Sequence, residues 1–247
     1  MANRPIPIVQ ADATANTTAS TGSGPWADLA LTFPVFLSYH LSVYFLPVRN
    51  AADMVTRELV VLSKDSSLGY LGLTAGIGVA FVGVLMLLGR GHALRADRFF
   101  FVALEGVIYA AAMRFIASYV VGEMFLAGGA DSPSMDRFTG FVMSTGAGFY
   151  EELLFRVLLY GLGARVLMLL FPVNIASRFL VRVGWAIAAA AAFSAWHYMG
   201  EFGEDFEWRS FVFRWVCGLV FTLIYQFRGF APAVWTHALY DIWVLVF

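Results

Sequence analysis

The sequence predicts an all-α fold: a polytopic membrane helix bundle of about seven transmembrane helices. Three observations carry this. Of the 247 residues, 60% are hydrophobic and only 13% are charged, whereas soluble domains carry about 25% charged residues. Mean hydropathy is +0.73. Apolar runs of roughly 20 residues, enough for a helix to cross a bilayer core, recur along nearly the whole chain. Aromatics make up 17%, including 24 Phe, which suits a lipid-facing exterior with interfacial belts.

Residues 1–25 are rich in Ala, Thr, Ser, Asn and Gly. Such a segment buries too little apolar area to offset chain entropy and is expected to be a disordered tail. It lacks the three-part pattern of a cleavable signal peptide. Residues 26–247 form the expected transmembrane domain, with spans at Leu29–Pro47, Leu68–Leu88, Phe99–Leu126, Phe138–Leu159, Phe179–Tyr198, Ser210–Phe227 and Ala231–Phe247. The fourth is expected to run on through Val166–Phe171 until Pro172 stops it. The last is near the lower length limit for a span. No internal repeat is visible.

Arg90, Arg95 and Arg98, then Arg165, Arg178 and Arg182, then Arg228 all fall on one side of a seven-span topology. Asp131, Asp136, Glu201, Glu204, Asp205 and Glu207 fall on the other, and Arg49, Arg57 and Lys64 in the first connection run against the trend. The positive-inside rule then puts the N-terminus in the cytoplasm and the C-terminus outside. Net charge is −1, so no basic field points to nucleic acid. The single cysteine, Cys217, permits no internal disulfide and reads as a small apolar residue.

Charges within hydrocarbon are costly and usually functional, and three clusters qualify. In Tyr150-Glu151-Glu152-Leu153-Leu154-Phe155-Arg156, adjacent glutamates point about 100° apart on a helix. Glu152 and Arg156, four apart, can pair. Glu151 is then left without a local partner, as a general base held out of water would be; the rival reading is a structural ion-pair cluster. Second, Phe193-Ser194-Ala195-Trp196-His197 closes a helix rich in Ala, whose small face allows close packing. His197 is either a packed site residue or an interfacial histidine. Third, His237-Ala238-Leu239-Tyr240-Asp241 puts an imidazole and a carboxylate on one face, either as a site pair or as a polar clamp between helices. His40 and His92 read as structural or solvated. Glu105 and Arg114 are too far apart to pair and are left to support other helices.

In that order, Glu151-Glu152-x-x-x-Arg156, Phe193-x-x-x-His197 and His237-x-x-x-Asp241 resemble the CAAX protease and bacteriocin-processing family, the type II CAAX prenyl endopeptidases and their bacterial relatives. The resemblance covers residues 138–247, a peptidase-like core to which the first three spans are expected to contribute little. It implies Glu151 as the catalytic glutamate, Glu152 and Arg156 as support, and His197 as a residue that positions or activates water. His237 belongs to the motif assigned to oxyanion stabilisation. That motif usually ends in Asn, and Asp241 stands there instead. A carboxylate cannot donate to an oxyanion, so Asp241 is expected to hold His237 as imidazolium.

The implied function is an intramembrane endopeptidase acting on a protein or peptide with a membrane-embedded or lipidated segment. Its setting is expected to be the bacterial inner membrane, in the processing or sorting of exported or lipidated proteins. No cofactor is expected; a zinc site at Glu151, His197 and His237 is the minority alternative. A catalytically silent immunity or scaffold protein and an ion-coupled transporter are the rivals from other classes. One tension remains in the sequence: His197 falls near one membrane face and His237 nearer the other, about half a membrane apart, unless a helix is tilted or re-entrant.

Overall fold

The computed structural model describes residues 25–64, 66–88, 96–122, 135–170, 174–200 and 203–247. The tail before residue 25, Arg90, His92, Arg95, Asp131, Pro172 and Glu201 lie outside them, as do the expected end of the third span at Leu126 and the last residue of the fourth, Phe171.

Among the described residues the fold is helical throughout, with no strand. We number the helices α1 (Pro25–Ser42), α2 (Thr56–Leu62), α3 (Ser67–Leu88), α4 (Ala96–Val120), α5 (Arg137–Leu170), α6 (Ile175–Trp196), α7 (Trp208–Arg228) and α8 (Phe230–Leu245). Seven of them fall on the seven expected spans, and α5 does continue past Leu159. By length and hydropathy, five of the described helices could cross a membrane: α3 to α7. The expected count of seven is thus not reached on that measure. Helix α8 has only 16 residues, and α1, at 18 residues, carries Asp28, His40 and an internal proline, Pro34. The short α2 has no counterpart among the expected elements.

Contacts between helix ends set the directions. Gly229 reverses the chain between α7 and α8 with φ 101°, a left-handed backbone that favours glycine. A Cβ there would also collide with the Asp28 carboxylate. That carboxylate accepts the Phe230 N–H (2.6 Å), so α1 and α8 start at the same end and run parallel. Trp235 donates its indole N–H to the Leu31 carbonyl (2.8 Å) and ties the two together further along. Asp136 caps α5 at the opposite end by accepting from the Phe138 and Thr139 amides. Its hydrogen bonds with Thr139 hold the Asp136 carboxyl below the usual range.

Helix α8 is central, packing against α1, α4, α5 and α7. The outer faces of α3 and α4 expose Val79, Met86, Phe100, Phe101, Ile108 and Phe115. Apolar exposure on that scale is what a lipid-facing surface requires. The chain is a multi-pass integral membrane protein, and Cys217 is buried in its interior.

Candidate active site

The polar cluster is built where α5, α7 and α8 meet. Helix α5 does not keep regular α-helical winding through the site. It is wound in the wider π form over Ala147–Glu151 and Leu153–Leu162, a departure frequent at functional sites. Gly148 lets α8 approach: a Cβ at this position would lie 2.7 Å from the Ala238 Cβ and 2.8 Å from its backbone nitrogen.

Glu152 and Arg156 are both fully buried and form the expected ion pair at 3.1 Å. The guanidinium lies between two aromatic faces, 4.3 Å from the Phe193 ring centre and 4.9 Å from that of Phe221. Removed from water, it is compensated by one carboxylate and two rings. The other Glu152 oxygen lies 2.7 Å from Nδ1 of His237. A carboxylate can only accept, so Nδ1 donates.

The second nitrogen of His237, Nε2, lies 3.4 Å from Asp241 and 3.9 Å from Oε2 of Glu151. The i, i+4 relationship of His237 and Asp241 is present as expected. Three carboxylates thus surround one ring whose face stacks on Phe221, with centroids 4.5 Å apart.

Glu151 itself is buried, 6% exposed. Its partner comes from far along the chain: the Asn50 amide Nδ2 donates to Oε1 at 2.9 Å. Oε2 is left without a hydrogen-bond partner. Asn50 sits between α1 and α2 and is fixed from three sides. Its Oδ1 accepts the Ala52 N–H (2.9 Å), its own N–H donates to the Tyr39 hydroxyl (3.3 Å), and that hydroxyl donates to Asp53 (2.7 Å). Asp53 in turn accepts the Val55 and Thr56 amides that open α2.

Beside this chain, His40 is fully buried between the Tyr150 and Tyr70 hydroxyls, at 2.5 and 3.4 Å from its two ring nitrogens. The structural reading of His40 holds. The neighbour of Glu151 comes from the connection after the first expected span, with Tyr39 of α1 supporting it. The one signal for it in the sequence is the pair of polar residues Tyr39 and His40 inside an apolar run.

His197 closes α6 as expected, but makes no ion pair or side-chain hydrogen bond with Glu151 or His237 among the described residues. Its Nδ1 meets the Phe193 carbonyl at 3.0 Å, so Nδ1 carries the proton and Nε2 is free to accept. Phe193 lies between the histidines, 5.2 Å from the His197 ring and 5.9 Å from that of His237. One aromatic ring spans the pair, so the expected separation of half a membrane is corrected. The small face of α6 packs as anticipated, with Ala189 and Ala190 buried and Gly218 of α7 against Ala190.

Glu105 and Arg114 find partners on other helices. Glu105 of α4 pairs with Arg228, and Arg114 lies 4.6 Å from the Trp243 ring centre. Among the described residues no group of three or more His, Cys, Asp or Glu side chains is arranged to hold a metal ion.

A cluster of three carboxylates, an arginine and a histidine thus lies inside the apolar helical bundle of a polytopic membrane protein. Residues 133–243 match the family model "Type II CAAX prenyl endopeptidase Rce1-like". Over that region the chain is similar to the CAAX-type membrane proteases. No curated protein and no solved structure matches the chain.

Proposed function

We propose that this protein is an intramembrane endopeptidase in which Glu151 is the general base for the attacking water. One observation carries the reading: Glu151 is buried, its Oε1 is fixed by Asn50, and its unpartnered Oε2 faces His237. A carboxylate so oriented takes a proton from water through Oε2 as the water oxygen bonds to the scissile carbonyl carbon. The carbonyl oxygen becomes an oxyanion, and Nε2–H of His237 is the nearest donor to it. Glu152 and Asp241 favour the doubly protonated ring that this task needs. Glu151 then passes its proton to the leaving nitrogen as the C–N bond breaks, giving a carboxylic acid and an amine. His197, with Nε2 free to accept, assists in orienting the water from beyond Phe193. Glu152 and Arg156 hold His237 in place.

The substrate is a membrane-tethered polypeptide cut near its terminus. The CAAX prenyl endopeptidase description supports a lipid-bearing chain end, and a transmembrane tail presents the same chemistry. Processing or sorting of exported or lipidated proteins at a bacterial inner membrane fits this reading. Asn50 and His197 both lie towards the end opposite Gly229.

Hydroxylamine trapping separates this route from a covalent one. During turnover of a lipidated or membrane-tailed peptide, direct water attack yields only the carboxylic acid, whereas an acyl-enzyme would also yield a hydroxamate. Hydroxamate formation would overturn the general-base assignment. Loss of cleavage with a zinc chelator, restored by zinc, would overturn the metal-free version.

A further inference from the structure

We infer that the cleft between α5 and α6, at the Gly229 end, is a binding site for the phosphate headgroup of an anionic phospholipid. Arg165 of α5 and Arg178 and Arg182 of α6 line a single cavity of about 370 Å³, with Met168 and Leu169 as its apolar part. Among the described residues no carboxylate lines it. Elsewhere Arg156, Arg214 and Arg228 each face a glutamate, while these three guanidinium groups share a cleft with one another.

The cleft has a fixed frame. The indole of Trp185 donates to the Leu159 carbonyl (2.7 Å), and Gly163 lies so close to that indole that a Cβ would come within 2.7 Å of it. The two helices are thereby held together just beyond Arg165 and Arg182.

Position selects the ligand. Both helices are apolar enough to span a membrane, and the arginines lie near their adjoining ends. Arg178 and Arg182 are one turn apart on one face. Beside the cleft, Leu158, Leu162, Leu169, Phe179, Leu180 and Val183 are exposed. A phosphodiester among the guanidiniums would leave its acyl chains running down this apolar surface. Basic pockets between membrane helices hold lipid headgroups in this way, and guanidinium forks suit phosphate oxygens. A free phosphate would gain nothing from the apolar surroundings.

The site is independent of the peptidase chemistry and is tested without it. Purified full-length protein, delipidated in neutral detergent, is mixed with phosphatidylglycerol, phosphatidylcholine or inorganic phosphate, and retained ligand is read by native mass spectrometry. Phosphatidylglycerol should be retained about tenfold or more over phosphatidylcholine. Combined Arg165→Gln, Arg178→Gln and Arg182→Gln should erase that preference. A charge-matched variant, Arg57→Gln with Lys64→Gln and Arg137→Gln, should keep it. Arg178→Gln alone should weaken it partially and guards against misfolding of the triple variant. Equal retention of the two lipids, an unchanged preference in the triple variant, or displacement of phosphatidylglycerol by equimolar inorganic phosphate would each overturn the assignment.

Discussion

Asn50 and Glu151, 101 positions apart in the chain, are joined by a buried hydrogen bond of 2.9 Å from the amide Nδ2 to the carboxylate Oε1. The bond leaves Oε2 as the oxygen that faces His237, so Asn50 determines which lone pairs of Glu151 remain for chemistry. A hydrogen bond to a charged group contributes about 1.5–3 kcal/mol, equivalent to roughly ten- to a hundredfold in rate. Asn50→Ala is expected to lower kcat by that factor with little change in KM. Asn50→Asp, which sets a second carboxylate beside Glu151, should lower it further. Steady-state kinetics on variants of matched Tm check this.

Asp241 is the departure from the usual family motif, and its partner is His237 Nε2 at 3.4 Å. Asp241→Asn keeps a hydrogen-bonding oxygen at this position and restores the commoner residue, so activity should stay within about tenfold of wild type. Asp241→Leu should lose more than the amide variant. Equal activity in both variants would remove Asp241 from the site.

Arg156 is compensated by Glu152 and by the Phe193 and Phe221 rings. Removing one member of a buried ion pair costs about 3–5 kcal/mol, because the other charge is left uncompensated. Arg156→Met should therefore lower the thermal unfolding temperature sharply. Arg156→Met combined with Glu152→Met should recover stability without recovering cleavage, because His237 has then lost the acceptor for Nδ1. Unfolding in detergent followed by tryptophan fluorescence reads the first effect, and peptide cleavage the second.

Gly148 is required by the close approach of α8 rather than by its backbone angle. Gly148→Val pushes against backbone atoms of Ala238, and overpacking of this kind costs about 1–3 kcal/mol. It should also displace His237, one residue away from the contact, so both Tm and activity should fall. Gly184, around which no atom lies within reach of a Cβ, should tolerate alanine.

Much of this was legible in the sequence because membrane helices are specified by composition alone. Apolar runs gave the seven longer helices, and four-residue spacing gave the Glu152–Arg156 and His237–Asp241 pairs, since that spacing lies on one helix face. Asn50 was not legible. It lies in a connection without periodicity, and its bond to Glu151 is made by tertiary packing across the bundle. The short α2 was missed because seven residues between two spans carry too little pattern. The setting of the His197 ring was not legible for a related reason. Motif order fixes neither helix depth nor which way a ring turns, and the His197 ring bonds its own helix at the Phe193 carbonyl.

The central claim is that Glu151 performs the hydrolysis. Purified wild type and Glu151→Gln are reconstituted in proteoliposomes with lipid-modified and transmembrane-tailed peptides, with matched Tm showing that both are folded. Gln keeps an oxygen to accept from Asn50 but cannot take a proton from water. Wild type should cleave at least one peptide of the panel, and Glu151→Gln should cleave none. Cleavage by Glu151→Gln at the wild-type rate would contradict the account.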